Sequence, residues 1–327
     1  MSKEQSVIIR GLVILLMLAY HLHDISDSYE SLIYIGGHPL TYYINNMAHP
    51  VSFYILLSGY GLSYVGRTTT SYKAKKVLKL YITFWIVLGI FPLLIGSFVS
   101  PDKYPGGFIT FLGNATGYIW TYNVHNWFLL PYVLIYMSSG LIQTLIDKYG
   151  DMRCIAISFL LSIGSAVAIS YNIMGLSKIH IIHLILATIG MLFPFVVGVV
   201  MEKLQIRGIL KCEKITPLLA VILIMVLSLL RSLVHTHALN AIFAVMIIYL
   251  LIHVKFKGLV REVLGVLGKY SMPMWFIHGY FTLYLFHDYL VLLKYPLLIY
   301  LALVVISLTL SIPIMNLSNF FCKMIKL

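Results

Sequence analysis

Long apolar stretches, separated by short polar loops, repeat along the whole chain. A helix that crosses the hydrocarbon core of a bilayer needs roughly 20 mostly apolar residues. Stretches of about this length occur at residues 7–24, 44–64, 80–98, 127–146, 154–173, 183–201, 216–234, 238–253, 270–290 and 295–321. The pattern predicts an all-α fold, a polytopic bundle of about ten transmembrane helices that forms one domain over residues 1–327.

Composition and charge agree with a membrane protein. The 327 residues are 60% hydrophobic and only 10% charged, against about 25% charged in a typical soluble domain, and the mean hydropathy is +0.93. With the N-terminus in the cytoplasm, all 23 lysines and arginines except Lys103, Lys178, Arg231 and Lys294 lie on the cytoplasmic side. This positive-inside bias predicts a multi-pass protein of the cell membrane with both termini cytoplasmic. The net charge of +12 then indicates anionic lipid head groups as partners rather than nucleic acid.

Several kinds of site are absent from the sequence. The three cysteines, Cys154, Cys212 and Cys322, fall at predicted cytoplasmic helix ends, where thiols stay reduced. No Cys-x-x-Cys pair, P-loop or Gly-x-Gly-x-x-Gly turn occurs, and these are the motifs of common metal and nucleotide sites. We therefore expect no metal and no bound cofactor.

The first apolar stretch contains ionisable residues at both ends. In "RGLVILLMLAYHLHD" (10–24), Arg10 and His21 are separated by three helical turns plus about 20°, so they face the same way roughly 16 Å apart. An ionisable group inside a span marks a functional site by default, and Asp24, one turn beyond His21, can orient the imidazole. Three plainer readings stay open: an arginine that reaches head groups, a histidine bonded to a neighbouring helix and an aspartate solvated at the helix end.

Further segments share a pattern with this stretch. They are "FYILLSGYGLS" (53–63), "SYKAKKVLKLYITFW" (71–85), "HNWFLLPYVLIY" (125–136) and "LGKYSMPMWFIHGYF" (267–281). Together with an arginine and a histidine that are separated by ten residues, they resemble the motifs of the membrane acyltransferase-3 family. The chain departs from that pattern with lysines in the basic run, no proline before Pro92, and Trp275 in a tyrosine position.

The resemblance implies a ten-helix enzyme that O-acetylates cell-surface sugars from acetyl-CoA. It implies that His21, with Asp24, is catalytic, either as the base or as a carrier of the acyl group. Arg10 is expected to hold the phosphates of the co-substrate acyl-CoA, because guanidinium binds phosphate through paired hydrogen bonds. Further donor contacts are expected from Ser58, Lys75, Lys76 and Lys79. Plain alternatives are helix packing for the serine and the positive-inside bias for the lysines.

Four residues are candidates for binding the acceptor, a cell-surface polysaccharide or a lipid-linked sugar. His125 and Trp127 begin a span on the predicted outer side, His278 lies within a span, and Arg231 is the one outer arginine. Trp127 also fits a residue of the interfacial aromatic belt, and Arg231 also fits a helix anchor.

A transporter or polysaccharide exporter is the alternative function. Proton-coupled carriers keep a carboxylate within the membrane, whereas all 11 acidic residues here fall at the ends of spans or in loops. No pair of matched interrupted spans indicates an inverted repeat. The sequence therefore favours an integral membrane acyltransferase.

Overall fold

A computed structural model describes residues 1–66, 68–210, 213–234 and 236–327, and in these ranges the chain is mostly helical. Arg67, Lys211 and Cys212, which enter the charge and cysteine predictions, lie outside the described residues. The α-helices are α1 (Lys3–Tyr20), α2 (Leu40–Asn45), α3 (Pro50–Val65), α4 (Thr70–Leu88), α5 (Ser97–Val99), α6 (Phe108–Thr116), α7 (Leu129–Met137), α8 (Ser139–Tyr149), α9 (Asp151–Ser170), α10 (His180–Gly190), α11 (Leu192–Ile206), α12 (Pro217–Leu233), α13 (Asn240–Leu251), α14 (Gly258–Thr282), α15 (His287–Val291) and α16 (Pro296–Met324).

Other elements are short. Segments of 3₁₀-helix cover His21–Ser28, Val124–Asn126, Ile173–Lys178 and His237–Leu239, and a π-helix continues α4 over Gly89–Gly96. Among the described residues the strands are β1 (Tyr34–Ile35) and β2 (His38–Pro39), which pair antiparallel.

The predicted apolar stretches all overlap helices, so the all-α prediction is confirmed. Of the described helical segments, 5 are long and apolar enough to cross a membrane: Lys3–Ser28, Thr70–Val99, Asp151–Ser170, His180–Ile206 and Pro296–Met324. The count becomes 6 if α7 and α8, which meet at a bend of 52°, form one span. Helices α12 and α13 are apolar but shorter. The count of ten spans and the cytoplasmic location of the termini stay predictions.

Helix starts follow local rules of sequence. The side chains of Ser2, Thr69 and Thr216 each accept a hydrogen bond from a backbone N–H in the first turn of α1, α4 and α12. Such caps satisfy donors that the helix itself leaves unpaired. Pro50 and Pro296 occupy the first turn of α3 and α16, where the missing proline N–H costs no hydrogen bond.

Helices α1 and α14 pack with their backbones in close contact. A Cβ added to Gly11 would overlap the carbonyl oxygen of Leu264, and one added to Gly268 would overlap that of Val7. Small residues allow this approach between helices in a membrane. Near the start of both helices, Arg261 forms an ion pair with Glu4. The packing brings His21, at the end of α1, next to α14.

The bend between α7 and α8 has a buried lysine beside it. Lys73 is only 5% exposed, and its ammonium group donates a hydrogen bond of 2.9 Å to the carbonyl of Met137, the last residue of α7. A cation at this point satisfies a helix-terminal carbonyl and interacts favourably with the helix dipole.

Candidate active site

Three histidines from distant parts of the chain form one cluster. His21 follows α1, His125 lies in the 3₁₀ turn before α7, and His278 lies in α14. Their ring centroids are 3.8 Å apart for His21 and His125, 4.8 Å for His21 and His278, and 4.7 Å for His125 and His278. His278 is fully buried and His125 is 4% exposed. We call this set the histidine cluster.

Asp24 joins the cluster through His21. Nδ1 of His21 lies 2.8 Å from Oδ2 of Asp24, and Nε2 of His125 lies 3.5 Å from the same oxygen. The α-helix ends at Tyr20, short of the predicted residue 24, and residues 21–28 form a 3₁₀-helix instead. Side chains three positions apart eclipse in a 3₁₀-helix, so this change of geometry places the carboxylate directly beside the imidazole.

Hydrogen bonds determine which nitrogen is free on two of the rings. A carboxylate or a carbonyl oxygen only accepts, so Nδ1 of His21 donates to Asp24 and Nδ1 of His278 donates to the Trp275 carbonyl at 2.6 Å. In each neutral ring the lone pair is then on Nε2. Nε2 of His125 and Nε2 of His278 have no hydrogen-bond partner within the described chain. The cluster therefore offers unprotonated nitrogens in a buried space.

Sequence reasoning missed the residues that hold His125 in place. Asn123 is fully buried, accepts a hydrogen bond of 3.0 Å from the His125 backbone N–H, and donates one of 3.2 Å to the Phe276 carbonyl of α14. The hydroxyl of Tyr284 accepts from the Val124 N–H at 3.0 Å. The signal available was local, since an asparagine often bonds the backbone two residues on.

A separate cavity of about 300 Å³ contains Arg10. Its other lining residues include Tyr54, Ser58, Tyr132 and Ser271. Nε of Arg10 donates to the Ser6 carbonyl at 3.4 Å, within α1 itself. The cavity thus combines one guanidinium with several hydroxyl groups, which suits a ligand that carries both phosphate and amide groups. We call it the arginine cavity.

The other predicted donor residues lie at different distances from this cavity. Ser58 lines it, and its hydroxyl donates to the Tyr54 carbonyl at 2.8 Å and to the Tyr132 hydroxyl at 3.3 Å. Lys75 and Lys76 are exposed and Lys79 is half-buried, and none of these lysines is among the described lining residues. The ammonium of Lys76 lies 5.4 Å from the ring centroid of Tyr72, which does line the cavity.

An aromatic wall stands where the arginine cavity meets the histidine cluster. Trp275 lines the cavity and stacks with Tyr54 at 5.4 Å between centroids, and it also stacks with Phe128. The carbonyl of the same Trp275 binds His278. Arg10 and His21 were expected to face one space. In the structure Arg10 lines the arginine cavity, whereas none of the three histidines is among the described residues that line it.

A comparison with protein families decides the class of the protein. Residues 8–316 match the model of a family described as an acyltransferase domain, acyltransferase-3. The chain belongs to the membrane acyltransferase-3 family. The family prediction is confirmed, and the protein is a membrane acyltransferase in the general sense. Searches of curated proteins and of solved structures both give no match.

The motif segments of this acyltransferase meet at the two spaces just described. Tyr54 and Ser58 come from the second-span motif, His125 from the middle one, and Trp275 and His278 from the last. The basic run of 71–85 contributes Tyr72 and Leu80 to the lining of the arginine cavity, and Lys76 lies over the Tyr72 ring.

The predicted acceptor residues of the acyltransferase separate into two groups. His125 and His278 are in the cluster, while Trp127 lines a second cavity of about 490 Å³. Arg231 is 3% exposed, and its Nη1 donates to the Val234 carbonyl at 2.9 Å. Arg231 is not among the described residues lining that cavity. It interacts electrostatically with Tyr20, whose ring packs on His21, and its buried Nε has no hydrogen-bond partner within the described chain. Acceptor binding and helix anchoring by Arg231 both stay predictions.

The histidine cluster also has the geometry to hold a metal ion. One ring nitrogen from each of His21, His125 and His278 lies within 4.8 Å of the others. Neutral imidazole nitrogens are common ligands of transition metals, and a second ring nitrogen bonded to a carboxylate or carbonyl is typical of such ligands. His21 and His278 both have this second bond.

Proposed function

We propose that the protein is a multi-pass enzyme of the cell membrane that moves an acetyl group from cytoplasmic acetyl-CoA to a hydroxyl of a cell-surface or lipid-linked sugar. The observation that carries the proposal is the hydrogen bond between Asp24 and His21, which leaves the lone pair on Nε2 of His21 free. Arg10 lies on the same helix, about three turns before His21. The positive-inside pattern supports ten spans with the Arg10 end of α1 on the cytoplasmic side, where acyl-CoA is found.

In the proposed reaction, Nε2 of His21 takes the proton of the acceptor hydroxyl. The oxygen attacks the thioester carbonyl, a C–O bond forms, and the C–S bond breaks. The departing thiolate takes the proton from His21, so CoA leaves as the free thiol and the base is restored. Asp24 keeps the proton of the resting ring on Nδ1 and stabilises the imidazolium that forms, the role of the third group in a catalytic triad.

The donor half of the proposal rests on the arginine cavity. Arg10 binds a phosphate of CoA, and the hydroxyls of Tyr132 and Ser58 face the arm that carries the thioester. The aromatic wall around Trp275 lies between this cavity and the histidines, so the thioester has to displace it to reach His21. Lys76 is the basic-run residue best placed to add a phosphate contact.

The test compares two histidine–aspartate pairs of the same chain. His21→Ala removes the proposed base, and His287→Ala removes the histidine of a surface pair whose Nδ1–Oδ1 distance is 3.0 Å. Both variants are produced in a deletion strain at equal protein levels. The surface glycans are then examined by NMR for O-acetyl signals, and the purified proteins are assayed for release of the CoA thiol from acetyl-CoA.

We expect His21→Ala to lose both activities by the 10²–10⁴-fold typical of a general base, while His287→Ala behaves as wild type. A radiolabelled acetyl group that stays on His21 after a single turnover would show that this histidine carries the acyl group instead. Wild-type protein that neither releases thiol nor changes the O-acetyl signal would refute the transferase and favour the transporter.

A further inference from the structure

The cavity of about 490 Å³ that contains Trp127 has no role in the reaction described so far. It is enclosed by the start of α3, the segment before α7, and helices α9, α10 and α13, and its size falls in the usual range for small-molecule sites. Because Trp120 and Trp127 both line it, we call it the tryptophan cavity.

The tryptophan cavity and the arginine cavity are lined by neighbouring residues of the same two segments. Along α3, Ser52 in the first turn lines the tryptophan cavity, whereas Tyr54 and Ser58 line the arginine cavity. Along the other segment, Trp127 lines the tryptophan cavity and the next residue, Phe128, lines the arginine cavity. The two spaces therefore adjoin each other along α3 and around residues 127 and 128.

Two chains of contact join the tryptophan cavity to the catalytic pair. His125 lies between Val124 and Trp127, which both line the cavity. On the α3 side, the ring of His49 lines the cavity and packs on Tyr20 at 5.4 Å, and Tyr20 packs on His21 at 5.1 Å. The cavity is thus lined by the residue that precedes His125, and two ring contacts connect it to His21.

The lining of the tryptophan cavity is polar and aromatic but uncharged. None of its described lining residues is Asp, Glu, Lys or Arg, in contrast to Arg10 in the other space. A charged ligand group would lose its water here without gaining a partner of opposite charge, which is costly. A neutral ring with an apolar face and several hydroxyls fits better, because indole offers an apolar face together with an N–H donor.

Polar groups remain available for such a ligand. The hydroxyls of Ser162 and Ser165 donate to the carbonyls of Ile189 and Leu186 and so hold α9 against α10. The side chains of Ser52, Trp127 and His183 have no hydrogen bond within the described chain and line the same space.

We infer that the tryptophan cavity, whose lining adjoins His125 in the chain, binds the acceptor as an uncharged saccharide unit, and that it disfavours units carrying a carboxylate or phosphate. The inference rests on the proposed acyl transfer and specifies which acceptors that reaction takes. It adds Ser52 and His183 to Trp127 as residues that contact the acceptor.

The test fills the cavity without touching the histidines. Ala166 of α9 lines the cavity, so Ala166→Phe occupies the space meant for the sugar. Ala168 lies two positions further, about 200° around the helix, and is not among the described lining residues. Ala168→Phe is therefore the matched control, and Ala241→Leu fills the cavity independently from α13.

Each variant is expressed in the deletion strain. O-acetyl groups on the surface glycan are located by NMR, and purified protein is assayed for acetyl-CoA hydrolysis without acceptor. We expect Ala166→Phe and Ala241→Leu to lower O-acetylation about 100-fold, the loss typical of reacting groups moved by about 1 Å. Hydrolysis should stay within twofold of wild type, Ala168→Phe should keep both activities, and the acetylated unit should be uncharged.

Normal O-acetylation by both filled variants, or acetyl groups found on an acidic or phosphorylated unit, would overturn the inference while leaving the transferase intact. Absence of both hydrolysis and O-acetylation in the wild type would refute the proposed function itself.

Discussion

Removal of the Asp24 carboxylate is the sharpest test of how His21 works. Asp24→Ala deletes the acceptor of the 2.8 Å hydrogen bond from Nδ1 of His21. The ring is then free to place its proton on Nε2, which cannot act as a base. A hydrogen bond to a charged group contributes about 1.5–3 kcal/mol. At 1.36 kcal/mol per tenfold change in rate, we expect kcat to fall about 10- to 150-fold.

The expected loss is below the ~10⁴-fold found when a buried triad aspartate loses its charge, because the Asp24 side chain is 30% exposed. The assay is release of the CoA thiol at varied acetyl-CoA, which separates kcat from KM. The KM for acetyl-CoA should not change, since the described residues lining the arginine cavity exclude Asp24.

The matched control is Asp288→Ala, which breaks the surface pair with His287. That aspartate is 98% exposed, and exposed pairs contribute little, so activity should be unchanged. An Asp24→Ala variant with kcat within threefold of wild type, alongside an inactive His21→Ala, would show that Asp24 is only a solvated residue at the end of the helix.

Three further predictions concern the donor site, the backbone and metals. Arg10→Lys keeps the charge but loses paired hydrogen bonding, so KM for acetyl-CoA should rise about tenfold or more at constant kcat; a fall in kcat alone would contradict donor binding. A Cβ at Gly279 would lie 2.7 Å from Cδ2 of His125, so Gly279→Ala should displace that ring and lower kcat at normal expression. A Cβ at Gly265 would have no atom within 4 Å, so the control Gly265→Ala should leave kcat unchanged. Added Zn²⁺ should inhibit the enzyme by binding the ring nitrogens of the histidine cluster, and EDTA should reverse the inhibition in the thiol-release assay. The residual activity of a His278→Ala variant should be less sensitive to Zn²⁺. Equal sensitivity of this variant and the wild type would refute zinc binding at the cluster.

The helical architecture was largely predictable from the apolar stretches. In lipid every backbone polar group has to be satisfied within the helix, so a long apolar stretch leaves few alternatives to a helix. Stretch 127–146 is the informative exception, because it divides into α7 and α8 at a bend of 52°. The ammonium of Lys73 beside that bend comes from α4, and charge counting alone treats Lys73 like its neighbours in the basic run.

The sequence singled out the three histidines separately, but it did not predict that they form one cluster. His125 and His278 are 153 positions apart, and nothing local in either segment shows that the rings stack. Their contact depends on the close approach of Gly279 to the 123–125 segment, which is a tertiary property. The tryptophan cavity was out of reach for the same reason, since its walls come from five separate helices and turns and its serines and alanines look like ordinary packing residues.

The contact between Asp24 and His21 was expected from the sequence, but on an α-helical geometry that the structure does not have at these residues. A continuous α-helix to residue 24 would set the aspartate about 300° around the axis from His21, so the side chains would meet only by leaning towards each other. The structure ends α1 at Tyr20 and tightens the next turn to 3₁₀ geometry, which reduces that offset to nearly zero. The polar sequence after Tyr20 favours the change, because aspartate and serine side chains compete for backbone hydrogen bonds and weaken α-helix. The same residues that end the first helix therefore place the carboxylate beside the imidazole.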